Sequence, residues 1–298
     1  MANIDHDSLH KDLLKKCFPD FISLFFPKVY PLMDTDHLIP REQKVSIKVK
    51  GEYKTMEVDL LMETTVADEE VLIHVEIQSH RLPGYNEKMF RYYYHLYEEH
   101  QKLVIPIVLY THNLKLIEPN SYIVARDYFK IMEYFYQKIQ LKKLYWRDYV
   151  ATRNPILAAL IANMKYYEGE KVEMKKESFR LMKENNLNID KKGIFYSFFS
   201  TYIKLNAKEE DEFQNWLERE YGEEGVEEMS SIITHAFNEA YQKGKGEGRE
   251  EGREEGREEE TKKFVANCLI DGMSKDKIAK LTGLEKEELN RLIKEILV

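Results

Sequence analysis

Polar and apolar residues alternate over two neighbouring stretches of this chain. Val58, Leu60 and Met62 take turns with Glu57, Asp59, Leu61 and Glu63, and Val71, Ile73, Val75 and Ile77 take turns with Leu72, His74, Glu76 and Gln78. A period of two is the mark of a half-buried strand. Two amphipathic strands are therefore expected, joined by a hairpin loop over Val66, Ala67, Asp68 and Glu69. Residues 44–50 alternate in the same way and run into Gly51 and Glu52, a turn with glycine first that suits type II′. The period then lengthens. Met89, Phe90, Tyr93, Leu96 and Tyr97 recur at helical spacing across residues 86–100, and residues 103–110 are apolar throughout, as in a strand covered on both faces. Strand, helix and strand imply a right-handed crossover and a parallel neighbour for that last strand. Ahead of them, residues 8–26 read as a helix with a stripe of Leu9, Leu13, Leu14, Phe18, Phe21, Ile22 and Phe25, and Pro19 is the place where it would break.

Register turns this pattern into candidate chemistry. If Leu60 pairs with Val75 and Met62 with Ile73, Asp59 stands opposite Glu76, and cross-strand neighbours lie roughly 4.5–5.5 Å apart at Cβ. Two ionised carboxylates that close repel, and a hard cation such as Mg²⁺ or Mn²⁺ resolves the repulsion through carboxylate oxygens and water. The competing reading is a polar strand face that merely carries acids. Pairing Val45 with Val58 and Ile47 with Met56 would set Lys44 beside Asp59, with Glu42 one step further along the same face. Lys44 could then neutralise developing charge or hold a phosphate, and Glu42 could be a further ligand or a general base. A solvated face on which Lys44 offsets the acids is the plainer alternative. His74 shares the functional face of its strand, although a lone strand histidine is more often structural.

The order of Asp59, then Glu76-x-Gln78, then the helical run 89–97, then the apolar strand 103–110 resembles the core of the PD-(D/E)XK nucleases. More narrowly, the chain is similar to the Rpn family of recombination-promoting nucleases and transposase-like proteins. Residues 6–11 (HDSLHK), 72–78 (LIHVEIQ) and 139–148 (IQLKKLYWRD), with the later Gly-x-x-x repeats, carry that likeness over nearly the whole chain. The resemblance implies an α/β fold, a mixed sheet flanked by helices. It also implies a metal-dependent DNA endonuclease in which Asp59 and Glu76 bind Mg²⁺ or Mn²⁺ and Gln78 helps to orient the attacking water. One departure matters: the usual lysine of the motif is Gln78, and glutamine supplies neither a positive charge nor a base near neutral pH. Either activity is weak or another cation, such as Lys11 or Lys44, stands in.

Composition narrows the field. The chain has 298 residues, 43% hydrophobic and 12% aromatic, enough for a folded core with an additional module. No phosphate-binding glycine loop, no His-Glu-x-x-His and no zinc-spaced cysteine cluster offers a rival catalytic design. No leading apolar segment and no long apolar run points to export or a membrane, and Cys17 and Cys268 lie in separate segments, so a reducing cytoplasm is expected. The net charge of −8 argues against a nucleic-acid partner unless basic residues are concentrated locally. Lys11, Lys15 and Lys16, Lys44 to Lys54, and Arg81, Lys88 and Arg91 are the candidates, and Arg91 and Tyr94 are those expected to touch DNA from the aromatic-rich helix.

Four segments follow from these patterns: a nuclease-like core over 1–150, a helical region over 151–242, a Gly/Glu/Arg repeat over 243–260 and a helical tail over 261–298. In the helical region Leu157, Leu160, Ile161 and Met164 form one face, Phe195, Phe198, Phe199, Tyr202 and Ile203 another, and Phe213, Trp216 and Leu217 a third. These faces serve core cover, cleft support or self-association into a homo-oligomer. In the repeat, Gly244, Gly248, Gly252 and Gly256 recur every fourth position. Ion pairs such as Glu250 with Arg253 support a helix by roughly 0.2–0.5 kcal/mol each, against about 1 kcal/mol lost per glycine. A solvated linker or weak helical stalk is expected over an oligomer seam. The tail reads as three short helices resembling a helix-turn-helix, with a small assembly module as the alternative, because Glu285, Glu287 and Glu288 would face phosphates poorly.

Overall fold

The computed structural model of the chain describes residues 6–42, 44–49, 52–112, 117–270, 275–282, 284 and 286–296. The chain divides into two compact units, Met1–Ala236 and Phe237–Val298. The first is a mixed α/β unit. Helices α1 (His6–Lys16) and α2 (Phe18–Phe25) precede strands β1 (Ile39–Pro40), β2 (Lys44–Val49), β3 (Glu52–Glu57), β4 (Leu60–Val66) and β5 (Glu69–Gln78). Helix α3 (Tyr85–His100) then leads to β6 (Leu103–Tyr110), β7 (Ser121–Arg126), β8 (Phe129–Phe135) and β9 (Gln137–Gln140). Short helices α4 (Arg147–Val150) and α5 (Leu157–Leu160) are followed by α6 (Lys171–Glu184), α7 (Ile189–Tyr202) and the long α8 (Ala207–Ile270). Gly222, at φ +64°, interrupts the helical geometry of α8.

The main sheet has the order β1-β4-β5-β6-β9. β4 and β5 pair antiparallel with Leu60 opposite Val75 and Met62 opposite Ile73, the expected register. Ala67 and Asp68, at φ +49° and +64°, make the tight turn between them. Positive φ at both central residues matches the right-handed twist of the flanking strands. β6 runs parallel to β5, placing Val108 beside Glu76 and Tyr110 beside Gln78. The α3 crossover makes this parallel neighbour possible.

Both faces of the sheet are covered. Leu60, Met62, Val71, Ile73, Val75, Ile77, Ile107 and Leu109 face a core that takes in α1, α2, α5, α6, α7 and, from α8, Phe213, Trp216 and Leu217. The helices after residue 150 thus share one core with the sheet. On the opposite face Leu61, Leu72, Val104, Val108 and Tyr110 pack against Tyr85, Met89, Tyr92 and Leu96 of α3 and against Tyr134 and Tyr136. This arrangement corrects the expectation of a solvated polar face, because β5 is buried from Val71 to Gln78. It also corrects the stripe on α3: Tyr85 and Tyr92 face inwards with Met89 and Leu96, while Tyr97 is exposed. α1 ends at Lys16 and α2 starts at Phe18, with Pro19 in the first turn of α2, where its missing N–H costs nothing. Cys17 sits buried at the break, its thiol pushed up to about 12 by burial.

β2 and β3 form a separate two-stranded sheet. Val45 pairs with Met56 and Ile47 with Lys54, two residues away from the expected register. Gly51, expected to open the turn, lies outside the described residues, as does residue 50. A slip of two keeps every side chain on its own face, so alternation alone does not forbid it.

In the second unit the repeat 243–260 is helical, part of α8, which is the helical rather than the irregular form of the expected linker. Helices α9 (Lys275–Thr282) and α10 (Lys286–Ile296) follow. Val265, Ile278, Leu289 and Ile293 form their small core, with Ala279, Leu284 and Leu292 packed on it. Ser274 and Gly283 lie outside the described residues. Among the described residues, no helix is long and apolar enough to cross a membrane.

Candidate active site

Asp59 lies in the bend between β3 and β4, and Glu76 lies near the C-terminal end of β5 on the face covered by α3. The strand ladder stops at Leu60 and Val75, and side chains take over where it ends. The Asp59 N–H donates to Glu76 Oε1 at 3.0 Å, and the Ile77 N–H donates to Asp59 Oδ2 at 2.7 Å. Each carboxylate thus satisfies a main-chain group of the other's strand. The register that fixes the core therefore also fixes the acids side by side.

Three further side chains converge on this clasp. Lys11 of α1 places Nζ 2.8 Å from Asp59 Oδ1. His74, fully buried two residues before Glu76, has Nε2 at 3.0 Å from Glu76 Oε1. Lys88 of α3 lies 3.6 Å from Glu76 Oε2, and its ammonium sits 4.9 Å from the centre of the Tyr92 ring. His74 meets the same ring edge-on. The Tyr92 hydroxyl donates to the Glu57 carbonyl at 2.9 Å, tying α3 to the end of β3.

The electrostatics divide the two acids. Burial pushes Glu76 up, but the His74 hydrogen bond and charge, Lys88 and the Asp59 N–H outweigh it and hold its pKa below the ordinary value. Burial, and then the negative charge of Glu76, raise Asp59 above its ordinary value despite Lys11 and the Ile77 N–H. Burial weakens the Lys11 ammonium, yet Asp59, Glu57 and Glu76 together raise its pKa. The repulsion expected from sequence persists after the lysines have been counted.

Among the described residues, no group of three or more His, Cys, Asp or Glu side chains is arranged to hold a metal. A divalent ion here would rest on Asp59 and Glu76 with water completing its shell, the pattern usual for Mg²⁺, which binds through one or two carboxylates and keeps several waters. The donor chemistry fits such an ion, because both carboxylates offer hard oxygen donors and the charge of Glu76 still raises Asp59 in spite of Lys11 and the Ile77 N–H.

The other expected site residues lie elsewhere. The Gln78 carboxamide donates to the His80 carbonyl and lines a neighbouring cavity, away from the clasp. Lys44 is opposite Glu57 rather than Asp59 and is exposed, a consequence of the two-residue slip of β2 against β3. Glu42 is exposed beside Lys15, Arg41 and Leu60 in a separate depression. Arg91 is tied to Glu87 at 2.6 Å on the exposed side of α3, and Tyr94 is exposed one turn further on. Sequence reasoning put Lys88 only in a diffuse basic footprint. Its spacing from Tyr92, one helical turn, was the available signal that a cation shares the inward edge of α3.

Comparison with known proteins finds no matching family model, no matching curated protein and no matching solved structure.

Proposed function

We propose that the protein is a metal-dependent DNA endonuclease of the PD-(D/E)XK type, with Asp59 and Glu76 as the ligands of one Mg²⁺ or Mn²⁺ ion. The observation that carries this reading is the reciprocal clasp of Asp59 and Glu76 at the end of β4 and β5, with Asp59 raised by burial and by its neighbour's charge. An antiparallel hairpin, a crossover helix and a parallel strand around that clasp agree with the fold that the resemblance implies. A recombination-promoting or transposase-like role belongs to the same proposal.

Hydrolysis adds a water oxygen to phosphorus while the bond to the leaving sugar oxygen breaks; the water gives up one proton to solvent, and the leaving oxygen takes one from solvent. When bound, the ion supplies an acidified water and offsets charge on the phosphate. The chain's own groups do the remainder. His74 and the Asp59 N–H fix the orientation of Glu76, since both bond to Oε1. Lys88 and Lys11 provide the positive charge that Gln78 cannot, one beside each carboxylate. Arg91 and Tyr94 extend the surface available to DNA along α3.

The ion pair between Lys11 and Asp59, 2.8 Å long, also favours a second reading, in which the lysine permanently fills the place of the metal and the protein binds DNA or assembles without cutting. Incubation of supercoiled plasmid with the purified protein and Mg²⁺ or Mn²⁺ separates the two. Metal-dependent nicking that disappears in folded Asp59→Ala and Glu76→Ala variants supports the nuclease. Absence of nicking across supercoiled, linear and single-stranded substrates supports the second reading.

A further inference from the structure

A cavity of about 500 Å³ opens beyond Gln78, at the C-terminal ends of β5 and β6. That volume lies within the roughly 300–1,000 Å³ range of small-molecule sites. Its walls are aromatic and apolar, from Leu82, Pro83, Tyr85, Tyr110, Pro119 and Tyr122, and its polar groups include Gln78, Asn86 and Glu118, with Arg81 beside them.

Glu118 is the unusual member. It is 5% exposed, yet its carboxylate has no hydrogen bond among the described residues. Among the described residues its two ion-pair partners stand beyond hydrogen-bond distance: Arg81 Nε is 3.9 Å from Oε2, and His112 Nε2 is 3.8 Å from Oε1. Burial, the largest influence, lowers the pKa of His112 and so favours its neutral form. Both ring nitrogens of His112 and the Tyr85 hydroxyl are likewise buried without a partner among the described residues. Leaving such groups unpaired is costly, and a native structure retains them where a ligand or water completes the bonding.

The main chain around Glu118 is, by contrast, held firmly. The Glu118 N–H donates to Gln140 Oε1 at 3.2 Å, the Glu118 carbonyl accepts from Lys138 Nζ, and the Tyr136 N–H donates to the Asn120 carbonyl at 3.1 Å. The Tyr136 hydroxyl lies 2.7 Å from Asn86 Oδ1 and 3.0 Å from the Tyr110 hydroxyl, which joins the walls. A fixed frame places Glu118, with Oε1 unpartnered among the described residues, in the wall of an aromatic-lined cavity.

We propose that this cavity receives a guanine base, held by Glu118 and packed between the aromatic walls. An ionised carboxylate only accepts hydrogen bonds. Among the four DNA bases, guanine alone offers two adjacent donors, the ring N–H and the exocyclic amino group, on its Watson–Crick edge, and these match the two carboxylate oxygens. Adenine and cytosine set one donor beside an acceptor, and thymine sets one donor between two acceptors. Aromatic and apolar walls are the usual company of a base taken out of its stack. Arg81, 59% exposed on its side chain, stands at the rim where a nucleotide phosphate would lie. Gln78 lines the cavity two residues after Glu76, so the extruded base would belong to a nucleotide next to the scissile phosphate. That last placement rests on the nuclease reading; recognition of the base does not.

The test is calorimetric titration of the metal-free full-length protein with GMP, AMP, CMP and TMP, repeated with Glu118→Gln and Tyr122→Ala. Discrimination for GMP on the order of ten- to a hundredfold over the other three is expected, from hydrogen bonds to a charged group. Glu118→Gln should erase that preference, and Tyr122→Ala should weaken all binding while keeping it. Equal binding of the four nucleotides, no binding at all, or a guanine preference that survives Glu118→Gln in a folded variant overturns the proposal. Failure of the nuclease reading is recorded separately, as absence of plasmid nicking, and leaves this titration interpretable.

Discussion

Glu76 and Glu118 are buried to nearly the same degree, 3% and 5% exposed, and Gln78 lies between the clasp that holds one and the cavity lined by the other. Their surroundings are opposite. Glu76 meets the Asp59 N–H, His74 and Lys88, all supplied by the chain. Glu118 has a rigid main chain and no hydrogen-bonded partner for its carboxylate among the described residues. Burial alone therefore does not define what a carboxylate does. Where donors are built in, the acid is held in one orientation with its pKa lowered; where they are missing, we propose that the acid is an acceptor for something that arrives.

The largest expected effect is on cleavage. Glu76→Gln keeps the shape but removes the charge, and should lower metal-dependent nicking by at least about a hundredfold, in line with the loss of one preorganised electrostatic contact in an active site. Glu118→Gln should leave cleavage of substrates without guanine near the scissile phosphate almost unchanged. Equal losses in both variants would erase the distinction between the two acids.

Stability should separate them next. Glu76→Ala strands the Asp59 N–H, His74 and Lys88 around a buried gap, and thermal or urea unfolding should show a loss of about 3–5 kcal/mol, as for a broken buried ion pair. Glu118→Ala breaks no hydrogen bond of its side chain and should cost under about 1 kcal/mol. A smaller expected effect concerns Lys88→Ala, which removes a cation 3.6 Å from Glu76. Cleavage should fall by roughly tenfold, about 1.4 kcal/mol of barrier, while the unfolding midpoint barely moves. Restoration by Lys88→Arg would locate the effect in charge rather than packing.

Glu63 offers the mildest test of the same rule. Arg41 is the largest influence holding it down, burial opposes this, and Lys102 adds to it, so that its pKa falls to about 2 from the ordinary 4.5. A carboxylate with a lowered folded pKa adds stability that is fully present above its unfolded value. Unfolding measured against pH should therefore show wild type more stable than Glu63→Gln at neutral pH, with the gap closing as pH falls from 4.5 towards 2. A constant gap would show that the donors around Glu63 do not set its charge.

The parts of this arrangement legible in the sequence were those under strong periodic constraint. The β4–β5 register could be read because Leu60, Met62, Ile73 and Val75 must share one face, and the short turn at Ala67 and Asp68 leaves no slack. The same logic missed by two residues at β2–β3, where Val45 and Ile47 find an apolar or long partner in either register. On α3, aromatic residues at 90, 92, 93, 94 and 97 surround the helix, so spacing did not single out Tyr85 and Tyr92 as the inward ones. That misreading concealed Lys88 and the cover over Glu76. Glu118 lies in an irregular segment with no period, and only three-dimensional placement beside Arg81, His112 and Tyr110 gives it meaning.

Whether Asp59 and Glu76 together form a divalent-metal centre is decided by counting the Mn²⁺ ions bound to the full-length protein by electron paramagnetic resonance. One ion per chain is expected, lost in both Asp59→Ala and Glu76→Gln but retained in Glu118→Gln. One ion per chain bound with unchanged affinity in the Asp59 and Glu76 variants would contradict it.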